Sequence, residues 1–289
     1  MRVLLGLVLA AVLVAAAGLW ITRPRSLSEA EWTLTGDPSA GERIFHLAGC
    51  AGCHAAPGSS GEARLVLAGG QRLESPFGTF VVPNISPDPD HGIGGWTDAE
   101  VASAIVHGTS PEGAHLYPSF PYPAYGLAEP QDIADLIAYL RTLPRSDAPS
   151  GEHELPFPFN IRLGIGAWKL VNLPDGFTAI GPEEGRYVVE ALSHCAECHT
   201  ARDWTGGLDR SRWMAGAPNP SGRGTIPNIT PEELDWSADD LAYYLETGLT
   251  PEFDSAGGHM AEVVLSLSQT RPEDRAAIAA YVKALPAAE

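Results

Sequence analysis

Hydrophobic positions along the chain set out its first elements. From Val3 to Ile21 the residues are almost wholly apolar and none is charged. About 19 such residues suffice to cross a hydrocarbon core as one helix. Beyond Arg25 the pattern becomes amphipathic. Ile133, Leu136, Ile137 and Leu140 fall at i, i+3, i+4, i+7, and so do Ile278, Tyr281, Val282 and Leu285. That spacing predicts two helices with one buried face each, stopped by Pro144 and Pro286. Two further helices are predicted after Trp96 and Trp236. Thr97 and Ser237 read as their N-caps, with acidic residues in the first turn.

The matching helices belong to a longer internal repeat. Gly41-Glu42-Arg43-Ile44-Phe45 is answered by Gly185-Arg186-Tyr187-Val188-Val189, and Leu67-Ala68-Gly69-Gly70 by Met214-Ala215-Gly216-Ala217. Pro83-Asn84-Ile85-Ser86-Pro87 is answered by Pro227-Asn228-Ile229-Thr230-Pro231. The chain therefore divides into an apolar segment 1–25, a unit 36–145, a connection 146–180 and a second unit 181–289. The connection opens polar and continues through Phe157 to Leu170, too short and glycine-rich for a second span. It is expected to be an inter-unit helix burying Trp168 and Leu170, with a membrane-surface or docking role as the alternative.

Composition narrows the setting. Of 289 residues, 31 are glycine and 25 proline, and the net charge is −18. The glycine and proline suit small, loop-rich units around a cofactor. The charge excludes nucleic acid as a partner, because phosphate binding needs a basic face. The acidity is read as solubility in an exposed compartment; docking to a basic partner is the sharper alternative. The apolar segment is either a cleaved signal or a retained anchor, and an export signal in both cases. Its length exceeds a usual signal core of about 7–15 residues, and Trp20 ends it as an interfacial residue, so a retained anchor is expected.

The four cysteines carry the chemistry. They fall in two frames, Cys50-Ala51-Gly52-Cys53-His54 and Cys195-Ala196-Glu197-Cys198-His199. C-x-x-C-H is the attachment signature of c-type haem. Two thiols add across the vinyl groups of one porphyrin, and the adjacent histidine faces the iron. One frame alone also fits a redox dithiol, a disulfide or half a zinc site. Two frames leave no cysteine over. A four-cysteine zinc site would leave His54 and His199 unexplained, and its pairs normally lie about 15–20 residues apart. Here 141 residues separate Cys53 from Cys195. Two covalently bound haem c groups, each with its iron, are expected.

With these residues in hand, the chain resembles the diheme class I cytochrome c family, whose members serve as electron-transfer subunits or partners of periplasmic dehydrogenases. The likeness rests on the two haem frames, the PNIS and PNIT loops, the Trp-led helices, Leu116 to Tyr122 and Gly257 to Val264. It implies a mainly α protein, two tandem class I cytochrome c domains after a transmembrane helix. It also matches the family's Gly-Gly-x-Met pattern at Met260, the expected sixth ligand of the second haem. Met214 aligns with Leu67 and reads as a pocket wall, and Met1 lies in the apolar segment.

The first unit has no methionine, and counting from Gly108 and Gly248 sets Phe120 opposite Met260. His46, His91, His107 and His115 are its remaining histidines. His115 follows His54 by 61 residues, as Met260 follows His199, and is expected to ligate the first iron; an open iron is the alternative. His153, His194 and His259 read as exposed or structural. The function expected is a non-enzymatic electron relay from a periplasmic dehydrogenase or similar redox donor to a respiratory acceptor. Its place is the bacterial inner membrane, soluble part facing the periplasm. The alternative is a peroxidase-like haem enzyme with an open first haem.

Overall fold

The computed structural model describes residues 1–288 and is mainly helical. Helix α1 (Arg2–Ile21) is a 20-residue apolar rod with none of its residues buried and a mean hydropathy of 2.6. By length and composition it can cross a membrane.

The first half begins at Pro38. Helices α2 (Pro38–Leu47) and α3 (Cys50–His54) lead to a hairpin of β1 (Arg72–Ser75) and β2 (Gly78–Val81), in which Arg72 faces Val81. Then come α4 (Asp98–His107), α5 (Tyr122–Tyr125) and α6 (Pro130–Leu140). The connection holds α7 (Leu163–Asn172). The second half repeats the order with α8 (Glu183–Tyr187), α9 (Ala196–His199), a short ladder of β3 (Ala217–Pro218) and β4 (Thr225–Ile226), α10 (Ala238–Thr247), α11 (His259–Leu267) and α12 (Pro272–Lys283).

Local chemistry explains the matching ends. Thr97 accepts from Glu100 N while the Glu100 side chain accepts from Thr97 N, and Ser237 and Asp240 form the same reciprocal cap. Such caps stabilise a helix by about 1 kcal/mol each. Gly108 and Gly248 end α4 and α10 at φ +55° and +75°, the left-handed conformation that costs glycine least.

In each half the first and last helices cross at a glycine. A Cβ on Gly41 would lie 1.9 Å from Asp135 O, and one on Gly185 would lie 2.4 Å from Ala277 O. Backbones therefore touch at both crossings, and only glycine fits. After α8 the helix widens to a π-turn over Val188–Leu192, where Ser193 N donates to Val188 O at 2.7 Å. The sequence pattern gave no sign of that widening.

The halves share one hydrophobic core, which runs from Ile44, Phe45 and Ile137 to Val188, Leu192 and Tyr281. Equivalent contacts clamp them together. Arg43 of α2 donates to Asp274 of α12 (Nε–Oδ1 3.0 Å), and Tyr187 Oη of α8 donates to Asp132 Oδ2 of α6 at 2.5 Å. The connection differs in detail from its sequence reading. Residues near 150 fold back on the first half, where Glu154 pairs with Thr79 and Val81 N donates to His153 Nδ1 at 3.1 Å. Helix α7 does touch both halves, through Ile165 against Phe80 and Tyr117 and through polar groups. Lys169 Nζ donates to His107 O and Gly108 O, and Thr205 Oγ1 donates to Asn172 Oδ1. Trp168 is half-buried, a Cβ on Gly206 of the second half lying 3.9 Å from its Nε1, whereas Leu170 is exposed on a face of α7 that turns away from the halves.

Candidate functional site

Each cysteine frame forms a short helix, and the turn brings its two thiols to one side with the histidine at its end. Cys50, Cys53 and His54 lie on α3; Cys195 caps α9, which carries Cys198 and His199. All four thiols are free. Burial pushes Cys50 and Cys195 up to about 12, the neighbouring thiol adding to it. Burial, then the Glu262 carboxylate, raises Cys53; burial, then Glu197 and Cys53, raises Cys198. Among the described residues no cluster of three or more His, Cys, Asp or Glu is placed to hold a metal ion.

The histidines are built alike. His54 Nδ1 lies 2.9 Å from Pro83 O, and His199 Nδ1 lies 2.9 Å from Pro227 O. With Nδ1 donating to a carbonyl, Nε2 keeps its lone pair, the tautomer an iron ligand requires. Burial lowers His54 to about 4 and lowers His199 as well, so both rings are neutral near pH 7. The carbonyls are fixed in turn. Asn84 accepts from Ser86 N at 2.8 Å and donates to Ser146 O and Ala148 O; Asn228 accepts from Thr230 N at 2.8 Å and donates to Ala288 O. The Pro-Asn-Ile loops are thus braces for the histidines. A c-type haem, held through two thioethers and one imidazole, fits this donor set and would supply the one-electron chemistry.

Opposite walls also correspond. Ile85 N donates to Leu67 O at 3.0 Å and Ile229 N to Met214 O at 3.1 Å, and both Leu67 and Met214 are fully buried. Met214 stands where Leu67 stands, as the sequence suggested.

The two frames lie next to each other. Glu262 of α11 comes within contact range of Gly52, a Cβ there lying 3.7 Å from its own. It also pairs with Arg64 at 2.6 Å. His194 Nε2 lies 3.2 Å from Ala48 O, and the His194 ring meets Tyr125 edge-on at 5.7 Å. Sequence reading treated His194 as exposed or structural; it is a cross-half contact, a role that only the fold could reveal.

The loops after α4 and α10 superimpose by hydrogen bonds. Ser110 N donates to Ala114 O and Thr250 N to Asp254 O, both at 2.9 Å. Leu116 N donates to Gly108 O at 2.8 Å, and Ala256 N to Gly248 O at 2.7 Å. His115 pairs across its loop with Thr109, and Ser255 with Leu249. His115 is therefore the counterpart of Ser255, and Phe120 that of Met260. The shared spacing of 61 residues arises because the first half is longer by four residues between its Pro-Asn-Ile loop and Trp96 and by one between His54 and that loop.

His115 itself is 5% exposed, with Nε2 2.8 Å from Thr22 O and with Arg162 donating to its carbonyl. That geometry gives it a partner in the segment after α1. Met260 is half-buried on α11, His259 is exposed, and His46 and His107 end α2 and α4. His91 lies 3.6 Å from Asp88.

Comparison with known proteins agrees with the two-frame geometry. The cytochrome c family model matches residues 38–144. A diheme cytochrome c-type protein of Cereibacter sphaeroides is 62% identical over 288 residues, covering 97% of both chains. The fructose dehydrogenase cytochrome subunit of Gluconobacter japonicus is 38% identical over 86% of this chain and 52% of its own length. The gluconate 2-dehydrogenase cytochrome c subunit of Pantoea cypripedii is 32% identical over 86% of this chain and 59% of its own. The chain thus spans little more than half the length of these two dehydrogenase subunits.

Proposed function

The chain belongs to the diheme c-type cytochrome family, carries two haem c groups and serves electron transfer; from that premise we propose that it is a membrane-tethered relay without catalysis of its own. Its donor is a periplasmic dehydrogenase and its acceptor a respiratory redox protein. Residues 36–145 and 181–289 act as two class I cytochrome c domains. His54 and His199 are the proximal ligands, Cys50, Cys53, Cys195 and Cys198 the attachment points, and Met260 the sixth ligand of the second haem.

The observation that carries the reading is the pair of matched frames, each with its histidine Nδ1 on a proline carbonyl. Their proximity, seen in the contacts of Glu262 with Gly52 and of His194 with Ala48, suits electron passage within one chain. Methionine ligation raises potential, so the second haem is the exit. The loop bearing Met260 is uncovered, with Phe253 91% exposed and Val263 and Leu265 also reaching solvent. An acceptor would dock there.

Tethering rests on α1 and on the packing at its exit. A Cβ on Gly166 of α7 would lie 2.3 Å from Thr22 O, so α7 packs directly on the end of α1. Phe157, Phe159, Ile161 and Leu163 are exposed in the same segment. Apolar side chains at that level suit the membrane interface, and the haem-bearing part is proposed to face the periplasm.

The test is to purify the tagged full-length chain from detergent-solubilised membranes and supply sugars, sugar acids and alcohols. Haem reduction by a substrate of a co-purifying dehydrogenase is expected, followed by reoxidation on adding membranes. Haem reduced only by chemical reductant, in a chain recovered without any dehydrogenase, would contradict the proposal.

A further inference from the structure

The relay reading assigns a second-side ligand to one iron only, and the two halves differ there. We infer that the first haem iron has no protein ligand in its sixth position and binds a small diatomic molecule there, with carbon monoxide as the probe. The inference rests on the ligand assignment proposed above.

Two independent counts locate the first half's counterpart of Met260. Counting forward from the superimposed loops, Leu116 with Ala256, gives Phe120. Counting back from the prolines that open α6 and α12, Pro130 and Pro272, gives Pro118. Neither side chain has a lone pair to offer iron. Phe120 instead packs its ring on Tyr125 at 5.7 Å and on Tyr122 at 6.4 Å, in the shared core.

Other donors are occupied elsewhere. His115 Nε2 engages Thr22 O, and a Cβ on Gly166 would lie 2.8 Å from that nitrogen, so α7 closes over the ring. Its Nδ1 and the Tyr122 hydroxyl are both buried without a partner, which makes His115 and Tyr122 the rivals worth removing. Lys169 is held by the carbonyls that end α4, and Tyr122 lies beneath Lys169 with its ring against Gly108. His153 takes Val81 N, and Tyr117 lies beneath Arg162. Methionine is absent from the first half. An iron bound by histidine alone on one face is the arrangement that takes up exogenous diatomic ligands, whereas a closed histidine–methionine iron resists them.

The experiment is carbon monoxide titration of the reduced full-length protein, followed by its absorption spectrum. Uptake of about one carbon monoxide per chain, with a high-spin component in the oxidised spectrum, is expected. Phe120→Met should abolish that uptake and double the methionine–iron absorption, and His115→Ala should leave uptake unchanged. No uptake by the unaltered protein would overturn the inference, and uptake newly opened by His115→Ala or by Tyr122→Phe would then identify that residue as the ligand. Met260→Ala should add a second carbon monoxide; if it does not, the underlying ligand assignment fails instead.

Discussion

The loops 108–116 and 248–256 have the same backbone hydrogen bonds and different surroundings. In the first, His115 is buried against Thr22 and α7, and Lys169 covers the end of α4. In the second, Ser255 and Phe253 stand in solvent. One repeat has thus been turned into two different environments by what packs on it. The covered loop leads to Phe120 where the bare one leads to Met260. Duplication supplied the frame, while the connection and the segment after α1 supplied the asymmetry.

Removing a frame should have the largest effect. Cys195→Ala with Cys198→Ala should lower the intact mass by one haem and abolish the methionine–iron absorption. Cys50→Ala with Cys53→Ala should lower the mass equally and leave that absorption in place. Equal spectra from the two variants would break the comparison between the halves.

The glycine crossings come next. Gly41→Ala drives a methyl into Asp135 O and Gly185→Ala into Ala277 O, with less overlap in the second. Overpacking of this kind costs roughly 1–3 kcal/mol and occasionally more. Chemical denaturation should therefore show the larger loss for Gly41→Ala.

The clamps between the halves are equivalent in position and unequal in chemistry. Arg43→Ala removes charge-assisted bonds to a fully buried carboxylate, at a cost of about 1.5–3 kcal/mol. Tyr187→Phe removes hydroxyl contacts and should cost about 0.5–1.5 kcal/mol. The pH dependence sharpens the distinction. Burial raises Asp274, but bonds from Arg43 and Arg271 outweigh it and lower its folded value below the ordinary 3.8. A depressed carboxylate stabilises the fold above its unfolded value and loses that contribution as pH falls through the folded one. Stability measured from neutral pH down through that window should fall less steeply in Arg43→Ala.

Much of this was legible from residues. Spacing gave α6 and α12, the caps gave α4 and α10, and the two C-x-x-C-H frames with their Pro-Asn-Ile loops gave the site. What escaped were contacts between distant parts of the chain. The spacing of His115 matched that of Met260 by number, but loop length, visible only once Trp96 and Trp236 are aligned, sets the register. The tie from His115 to Thr22 spans 93 residues, and no local pattern encodes it. Leu170 was expected inside; the polar anchors Lys169 and Asn172 turned α7 so that Leu170 faces out. His194 and the π-turn before Cys195 belong to the cross-half interface, which the repeat alone could not reveal.

The central claim is a pair of haems in matched frames with methionine on the second alone. Its most direct measurement is the methionine–iron absorption at the red end of the oxidised spectrum, quantified per haem in the native chain and in Met260→Ala. The account predicts one such bond for every two haems, and its complete loss in Met260→Ala with both haems retained. Persistence of the absorption in that variant, or an intensity matching two bonds in the native chain, would contradict it.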